Sequence, residues 1–434
     1  MRWSVAVNIL LFICINVLFG QTYIVKFRED AGDPSALKEF LEQNLRSTKS
    51  LAGQVNSFSI QPLFSRSITT KTSFPWERYA LVRFSQAQSE QLIRTITSLS
   101  SVEYFQQSYT YRTYSIPNDS AYKSQWNLRR IGISSLYQNG TINPLLPSVK
   151  VGVIDTGIDE DHPDLRNSIA LNPGETGNGK ETNGIDDDGN GFIDDWRGYD
   201  FVDGETEDVG DWNNRDNDPQ DENGHGTAVS GIIGAQADNA IGIAGIVPVK
   251  ILSLRAFGKN GNGSDIDIAS AVVYAADNGA DVINMSFGDV IQSPLLHDAI
   301  RYAFAKNIVL VASSGNDGSN NPHYPSDFSE VISTGSVGQY DVRSFFSSHS
   351  PSLDIMAPGE QIITTAMGGG YTDQFAGTSA AAPHVTGVVS LIKSLEKRKK
   401  ISNPVYQELS SEEIRGVILN SADDAGDAGW DKYY

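Results

Sequence analysis

The sequence predicts an α/β protein: a mostly parallel central sheet covered by helices on both faces, preceded by a small α+β unit. Short apolar runs recur at residues 149–154, 250–254, 281–285, 308–312 and 331–334. Between them, residues 266–278 and 296–306 read as helices. The runs are continuous rather than alternating, as expected of strands buried on both faces. Active sites in such folds sit at the carboxyl ends of strands, and Asp155 directly follows the first run.

The chain opens on a segment that reads as a secretion signal. Arg2 is positive, residues 5–19 are mostly apolar yet short for a membrane span, and Gly20 offers a small residue for cleavage. The competing reading is an N-terminal membrane anchor. Residues 21–117 form the small α+β unit. Residues 23–27 and 79–84 read as strands, and 102–111 close as a third. Residues 34–45 read as a helix with Pro34 near its start, and 89–99 as a second with Ser89 at its N-cap. From Pro117 the pattern changes, and residues 118–434 carry the parallel-sheet domain.

Hydrophobic residues make up 39% of the chain, enough for a sizeable core. The formal charge of −20 argues against nucleic acid or an anionic membrane as partner. Eleven Lys and Arg against eight Asp and Glu give residues 21–117 a charge of +3; with Arg2, this leaves −24 for residues 118–434. A mildly basic front unit thus precedes an acidic body, and the two attract. The only cysteine, Cys14, lies in the N-terminal apolar stretch. Disulfides therefore cannot stabilise the mature chain, and a metal ion is the expected substitute.

Three segments carry the chemistry. They are Val153-Ile154-Asp155-Thr156-Gly157, Asn223-Gly224-His225-Gly226-Thr227 and Gly377-Thr378-Ser379-Ala380-Ala381-Ala382-Pro383. Each sets one useful side chain among glycines or small residues. A serine hydroxyl attacks only when a neighbouring base takes its proton. His225 can do so while neutral, so activity should fall as pH drops through its pKa. Asp155 would hold the imidazole in the right tautomer. Ser379 precedes the helical stretch 380–395, whose free N–H groups suit a developing oxyanion. Taken singly, these residues have ordinary explanations: a turn Asp, a structural His and an N-cap Ser. Their joint arrival in the order Asp, His, Ser favours the catalytic reading. The other five histidines lack such surroundings, and His384, in the helix after Ser379, is expected to be structural.

This order and these flanks resemble the subtilisin-like serine proteases, the subtilase or peptidase S8 family. The resemblance is specific over residues 118–434 and loose over 21–113. It implies the three-layer subtilisin-like fold, with a ferredoxin-like inhibitory prosegment at 21–117. The implied activity is that of a secreted serine endopeptidase acting on polypeptides. It would be made as a zymogen, its own prosegment covering the site until cleavage between residues 109 and 120. After signal removal no membrane association is expected. In Ser313-Ser314-Gly315-Asn316, the resemblance implies that Asn316 donates a side-chain N–H to the oxyanion, beside the backbone N–H of Ser379. Ser286, Phe287 and Gly288, facing Ser313, Ser314 and Gly315, would line the pocket for the side chain before the scissile bond. Gly261 and Gly263 would flank an extended substrate bound by strand addition. Neither wall contains Asp or Glu, so an apolar or aromatic side chain is expected rather than Lys or Arg. Residues 316–324 would place His323 toward the pocket floor. Two alternatives use the same residues: an inactive secreted calcium-binding protein, or a relative that passes the acyl group to an amine. The chain stops at Tyr434, where family members continue with a turn and a final helix, so the domain is expected to be truncated.

Calcium is the expected cofactor. Residues 185–195 resemble an EF-hand loop, with Asp186, Asp188 and Asn190 at positions one, three and five and Gly191 at the turn. Arg197 stands at position twelve, where a bidentate Glu belongs, leaving Asp194 or Asp195 to compensate. The plain alternative is a solvated acidic loop. The family resemblance implies a second site from Asp164, the Asn239 side chain and the carbonyls of Ile241 and Ile243.

Overall fold

The computed structural model describes residues 22–28, 39, 58–63, 78–84, 94, 96–108, 116–204, 210–211 and 214–424. The chain divides into two compact units, residues 1–113 with 401–404 and residues 114–400 with 405–434. In the first, β1 (Thr22–Phe27), β2 (Phe58–Pro62), β3 (Tyr79–Phe84) and β4 (Val102–Gln107) form one antiparallel sheet. Its order is β2-β3-β1-β4, with the first and last strands side by side as in a ferredoxin-like unit. Tyr23, Val25 and Phe27 of β1 are buried against Val82, Phe84 and Phe105, which is the alternation a one-faced sheet requires. The expected helices at 34–45 and 89–99 fall largely outside the described residues, as do the signal segment and residues 109–115.

The second unit opens with α1 (Trp126–Arg130) and α2 (Ile133–Gln138), followed by β5 (Lys150–Asp155), β6 (Gly198–Asp200) and α3 (His225–Gly234). Next come β7 (Lys250–Arg255), α4 (Asp265–Asp277), β8 (Val282–Met285), α5 (Pro294–Ala305), β9 (Val309–Ser313) and β10 (Val331–Val337). The described chain ends with β11 (Ile355–Pro358), β12 (Ile362–Ala366), β13 (Gly370–Phe375), α6 (Thr378–Ser402) and α7 (Ser411–Ser421). Seven strands form one sheet in the order β11-β10-β9-β8-β5-β7-β6, and each neighbouring pair is parallel. β12 and β13 form a separate antiparallel hairpin.

Alternate strand residues feed two cores. Val151 and Val153 of β5, Val282 of β8, and Val309 and Val311 of β9 pack with Val229 and Ile233 of α3 and Val385 and Val389 of α6. Ile154, Ile283, Met285 and Leu310 point the other way, onto Ala271 and Val272 of α4 and Ile300 of α5. Each such buried aliphatic side chain contributes about 1.5–3 kcal/mol, so the two-sided cover is what holds the sheet. Helix starts follow local chemistry. Ser264 caps α4, Ser293 caps α5 with Pro294 at its first turn, and Ser410 with Glu413 forms a capping box on α7.

β5 lies between β7 and β8, with β8 to β11 following outward on one side and β7 then β6 on the other. That is a topological switch point, where the carboxyl ends of strands leave a crevice. Asp155 ends β5 at that place. Among the described residues, no helix is long and apolar enough to cross a membrane.

Candidate active site

The crevice is an open cleft of about 780 Å³ lined by Asp155, His225, Asn316 and Ser379 together. Asp155 is buried; its Oδ1 accepts from the Thr156 N–H at 2.8 Å and lies 2.7 Å from Nδ1 of His225. His225 is the first residue of α3, whose start packs onto the end of β5. Gly226 permits that approach: a Cβ there would stand 2.1 Å from the Gly157 carbonyl oxygen. The ring of His225 meets that of Phe375 of β13 at 5.5 Å between centroids. Burial pulls the His225 pKa down, while the charge and hydrogen bond of Asp155 pull it up, with Asp221 adding; the net shift is upward from 6.5.

Ser379 sits in the first turn of α6. Pro383 has no N–H, so the Ser379 carbonyl lacks its intrahelical donor. Ser286 Oγ fills that gap at 3.1 Å, itself receiving Asn284 Nδ2 at 2.9 Å. Asn284 Oδ1 accepts from Thr386 of the same helix at 2.8 Å. A buried polar stitch thus fixes α6 to the end of β8. The Ser379 hydroxyl donates to the Ser286 carbonyl at 2.9 Å, and no hydrogen bond joins it to His225 among the described residues. Asn316 Oδ1 accepts from Thr378 N–H at 2.8 Å and Thr378 Oγ1 at 3.0 Å, which fixes the amide so that Nδ2 is its other end. Gly377, at φ +133°, stands beside that amide; a Cβ built on it would lie 3.5 Å from Nδ2.

Gly261, Gly263, Ser286, Phe287, Gly288, Ser313 and Gly315 all line the cleft. Ser314 does not. It turns inward, where its hydroxyl donates to the Ser348 carbonyl at 3.0 Å. Asp265 and Asp289 also line the cleft, so carboxylates stand closer to the pocket than the two wall segments suggested. Their oxygens accept from the Ser293 hydroxyl at 2.6 Å and from the Ile291 N–H at 3.1 Å. His323 packs between the two walls: a Cβ on Gly288 would meet its ring at 2.3 Å, and one on Gly315 at 2.8 Å. Burial holds the His323 pKa below 6.5 against the pull of Asp317, Asp327 and Asp289. His384 is buried and neutral, its pKa pushed down to about 4 by burial. Its ring nitrogens meet Asn127 Nδ2 and the Ala380 carbonyl at 2.8 Å, a structural role.

Sequence reasoning missed Asp221. Its buried carboxylate accepts from the N–H groups of Asn223 (2.9 Å), Gly224 (2.8 Å) and Thr227 (3.0 Å). It also accepts from the hydroxyls of Thr156 (2.9 Å) and Thr227 (2.6 Å), so one side chain ties β5 to the start of α3 beneath His225. An Asp shortly before the helix start at Gly224-His225 is the signal that could have found it.

The expected metal ligands divide. Glu175, Asp186 and Asp188 each bring one carboxylate oxygen within 4.8 Å of the others. Asp195 is not among them. Asn190 Oδ1 takes the Phe192 N–H at 2.8 Å, and its Nδ2 donates to Asp195 at 2.8 Å. Asp195 is fully buried, accepting from Asn172 at 2.7 Å and from the Tyr274 hydroxyl. Asp194, the other expected substitute, caps the N–H groups of Asn183 and Gly184. Asp164 and Asn239 do meet, but as acceptor and amide donor. The second Asp164 oxygen takes the Ile243 N–H at 3.1 Å and the Tyr371 hydroxyl at 2.9 Å. Ile243 thus turns its N–H to Asp164.

Residues 147–434 match the family profile described as the subtilase family, peptidase S8. A thermophilic serine proteinase of Bacillus sp. (strain AK1) is 34% identical over 331 residues, 76% of this chain and 72% of that protein. Thermitase of Thermoactinomyces vulgaris is 34% identical over 281 residues, 64% of this chain and 83% of that protein. A solved structure titled as proteases from Pseudoalteromonas arctica PAMC 21717 aligns with a TM-score of 0.57 at 26% identity, covering 71% of this chain and 93% of that one.

Proposed function

The chain belongs to the subtilase family and is a serine endopeptidase, and from that premise we propose that Ser379 is its nucleophile, His225 its general base and Asp155 the anchor of that base. What supports the reading most is the 2.7 Å contact between His225 and Asp155 in the same cleft as Ser379 and Asn316. The Ser379 hydroxyl leaves the Ser286 carbonyl and turns to Nε2 of His225. That nitrogen takes the proton as Oγ attacks the peptide carbonyl, and gives it to the leaving amine. Water then repeats the sequence and frees the acyl group. The oxyanion lies between Asn316 Nδ2 and the Ser379 N–H.

Asn316 supplies the test. Asn316→Ala is expected to lower turnover by about 10²–10³-fold, the scale known for this type of donor in subtilisin, with little change in KM. A loss smaller than about tenfold in steady-state peptide hydrolysis would remove Asn316 from the oxyanion site.

The pocket for the residue before the scissile bond is bounded by Phe287 and Gly288 on one side and Ser313 and Gly315 on the other, with His323 closing it. It takes apolar side chains whose size His323 limits. His323→Gly is expected to raise the preference for Phe over Ala at that position by about tenfold or more, the usual worth of a methylene of added room. An unchanged cleavage profile on a peptide library would place the pocket elsewhere.

The enzyme is secreted and made as a zymogen. Support comes from the N-terminal signal pattern and from the charge of +3 on residues 21–117, opposed to the acidic remainder. The front unit acts as an intramolecular inhibitor until it is cleaved. The cofactor is a structural Ca²⁺ held at the 185–195 loop by Asp186 and Asp188, oxygen donors that suit a hard cation. When bound, the ion neutralises this acidic loop and takes no part in proton transfer.

A further inference from the structure

Resting on the calcium reading above, we propose that Glu175 is the third carboxylate of this ion site, standing in for the glutamate that an EF-hand carries at position twelve. Glu175 lies upstream of the loop, outside any contiguous motif, so spacing along the chain could not reveal it.

Three observations carry the assignment. The first is burial without a partner. Glu175 has 0% of its surface exposed. Its Oε1 takes the N–H groups of Asp187 at 2.6 Å and Asp188 at 3.1 Å, while Oε2 has no hydrogen-bond partner. A buried, unpaired carboxylate oxygen is costly unless a positive charge meets it. The second is the company it keeps. Like charges of Asp187 and Asp188 act on Glu175. Lys180 approaches Asp187 at 3.9 Å and donates to the Gly174 carbonyl at 2.8 Å, and among the described residues it makes no ion pair with Glu175. The third is geometric. Oxygens bound to one Ca²⁺ at 2.3–2.6 Å can lie no more than about 5 Å apart, and those of Glu175, Asp186 and Asp188 fall within 4.8 Å. Gly174 makes the approach possible: a Cβ there would stand 2.5 Å from Cβ of Asp188.

The ion then does more than neutralise a loop. Asn172 Nδ2 bridges Asp188 at 2.9 Å and Asp195 at 2.7 Å, and Asp195 holds the Tyr274 hydroxyl of α4. Ordering Asp188 therefore orders a chain of contacts that ends on a helix of the sheet's cover.

The test uses the full chain with Ser379→Ala to prevent self-digestion, stripped with chelator and titrated calorimetrically with CaCl₂. The Ser379→Ala chain should bind Ca²⁺ and melt at higher temperature with it. Adding Glu175→Gln should weaken that site on the order of tenfold or more, the range over which ligand charge tunes calcium sites, and shrink the calcium-dependent gain in melting temperature. Glu181→Gln, a neutralised carboxylate on the same segment, should change neither. Gly174→Ala keeps every carboxylate yet forces the Glu175 segment off Asp188, so it should weaken binding too, even where Glu175→Gln does not fold. No binding by the parent chain would overturn the calcium reading itself. Binding by the parent with undiminished affinity in Glu175→Gln or Gly174→Ala would overturn only the role of Glu175.

Discussion

Replacing Ser379 with Ala is expected to lower kcat by about six orders of magnitude, the loss known for the nucleophile of subtilisin, a member of the same family. KM should hardly move, because Ser379 Oγ contributes little to ground-state binding and the walls of the cleft are untouched. The fold should not suffer either. The hydroxyl donates to one backbone carbonyl, whereas α6 is held by Ser286 on the Ser379 carbonyl and by Asn284 on Thr386, which the substitution leaves in place. A residual rate above that of water is expected from the oxyanion donors, since Asn316 stays tethered by Thr378. The measurement is steady-state cleavage of a chromogenic peptide, paired with labelling by a fluorophosphonate. The parent chain should label and the variant should not. Equal labelling of both, or a loss smaller than about a hundredfold, would mean that another hydroxyl attacks.

How much of this is legible without coordinates depends on what each element needs from its neighbours. The central strands are readable because burial on both faces makes them continuous apolar runs: the expected 250–254 and 308–312 correspond to Lys250–Arg255 and Val309–Ser313. Of the edge strands of these two sheets only β4, read within 102–111, is. β2 ends in Pro62 and β11 in Pro358, residues that argue against a strand except at an edge, where both strands lie. β6, the other edge, is three residues long and carries no periodicity to read. In the site, Asp155, His225 and Ser379 stand out because glycines and alanines must surround them. Asp221 shows only as an Asp ahead of a helix start, because its tie to Thr156 of β5 needs folding, and Glu175 does not show, because it works through backbone N–H groups and carboxylates of the following loop that only folding brings near. Ser314 misleads for the opposite reason: it adjoins two cleft residues in sequence, yet its side chain faces the interior.

Asp155→Asn is expected to lower kcat/KM by about 10⁴-fold near neutral pH, the scale for loss of this anchor in serine proteases. The cause lies in who donates to whom. In the native site Oδ1 of Asp155 receives the Thr156 N–H and faces Nδ1 of His225, so the imidazole keeps its proton on Nδ1 and its lone pair on Nε2. An amide that presents its NH₂ to Nδ1 reverses that tautomer and removes the base. The same substitution shifts the pH profile in a definite direction. Burial lowers the pKa of His225 and the Asp155 charge and hydrogen bond raise it past 6.5, so deleting the charge leaves burial, the largest influence, opposed chiefly by the weaker pull of Asp221. Activity needs the neutral ring. The acid limb of the native profile should therefore lie above 6.5, and that of the variant's residual activity below it. Stability runs the other way. A folded pKa raised above the unfolded value means that the protonated pair stabilises the fold fully below about pH 6.5, and that this contribution is lost as pH rises through the folded pKa. The native chain should thus lead the variant in resistance to denaturant at mildly acid pH, with the gap narrowing at alkaline pH, where the imidazole is neutral. Rate profiles and denaturation curves on both proteins check the two halves separately. An acid limb that stays in place when the charge is removed would detach Asp155 from the base it is assigned to hold.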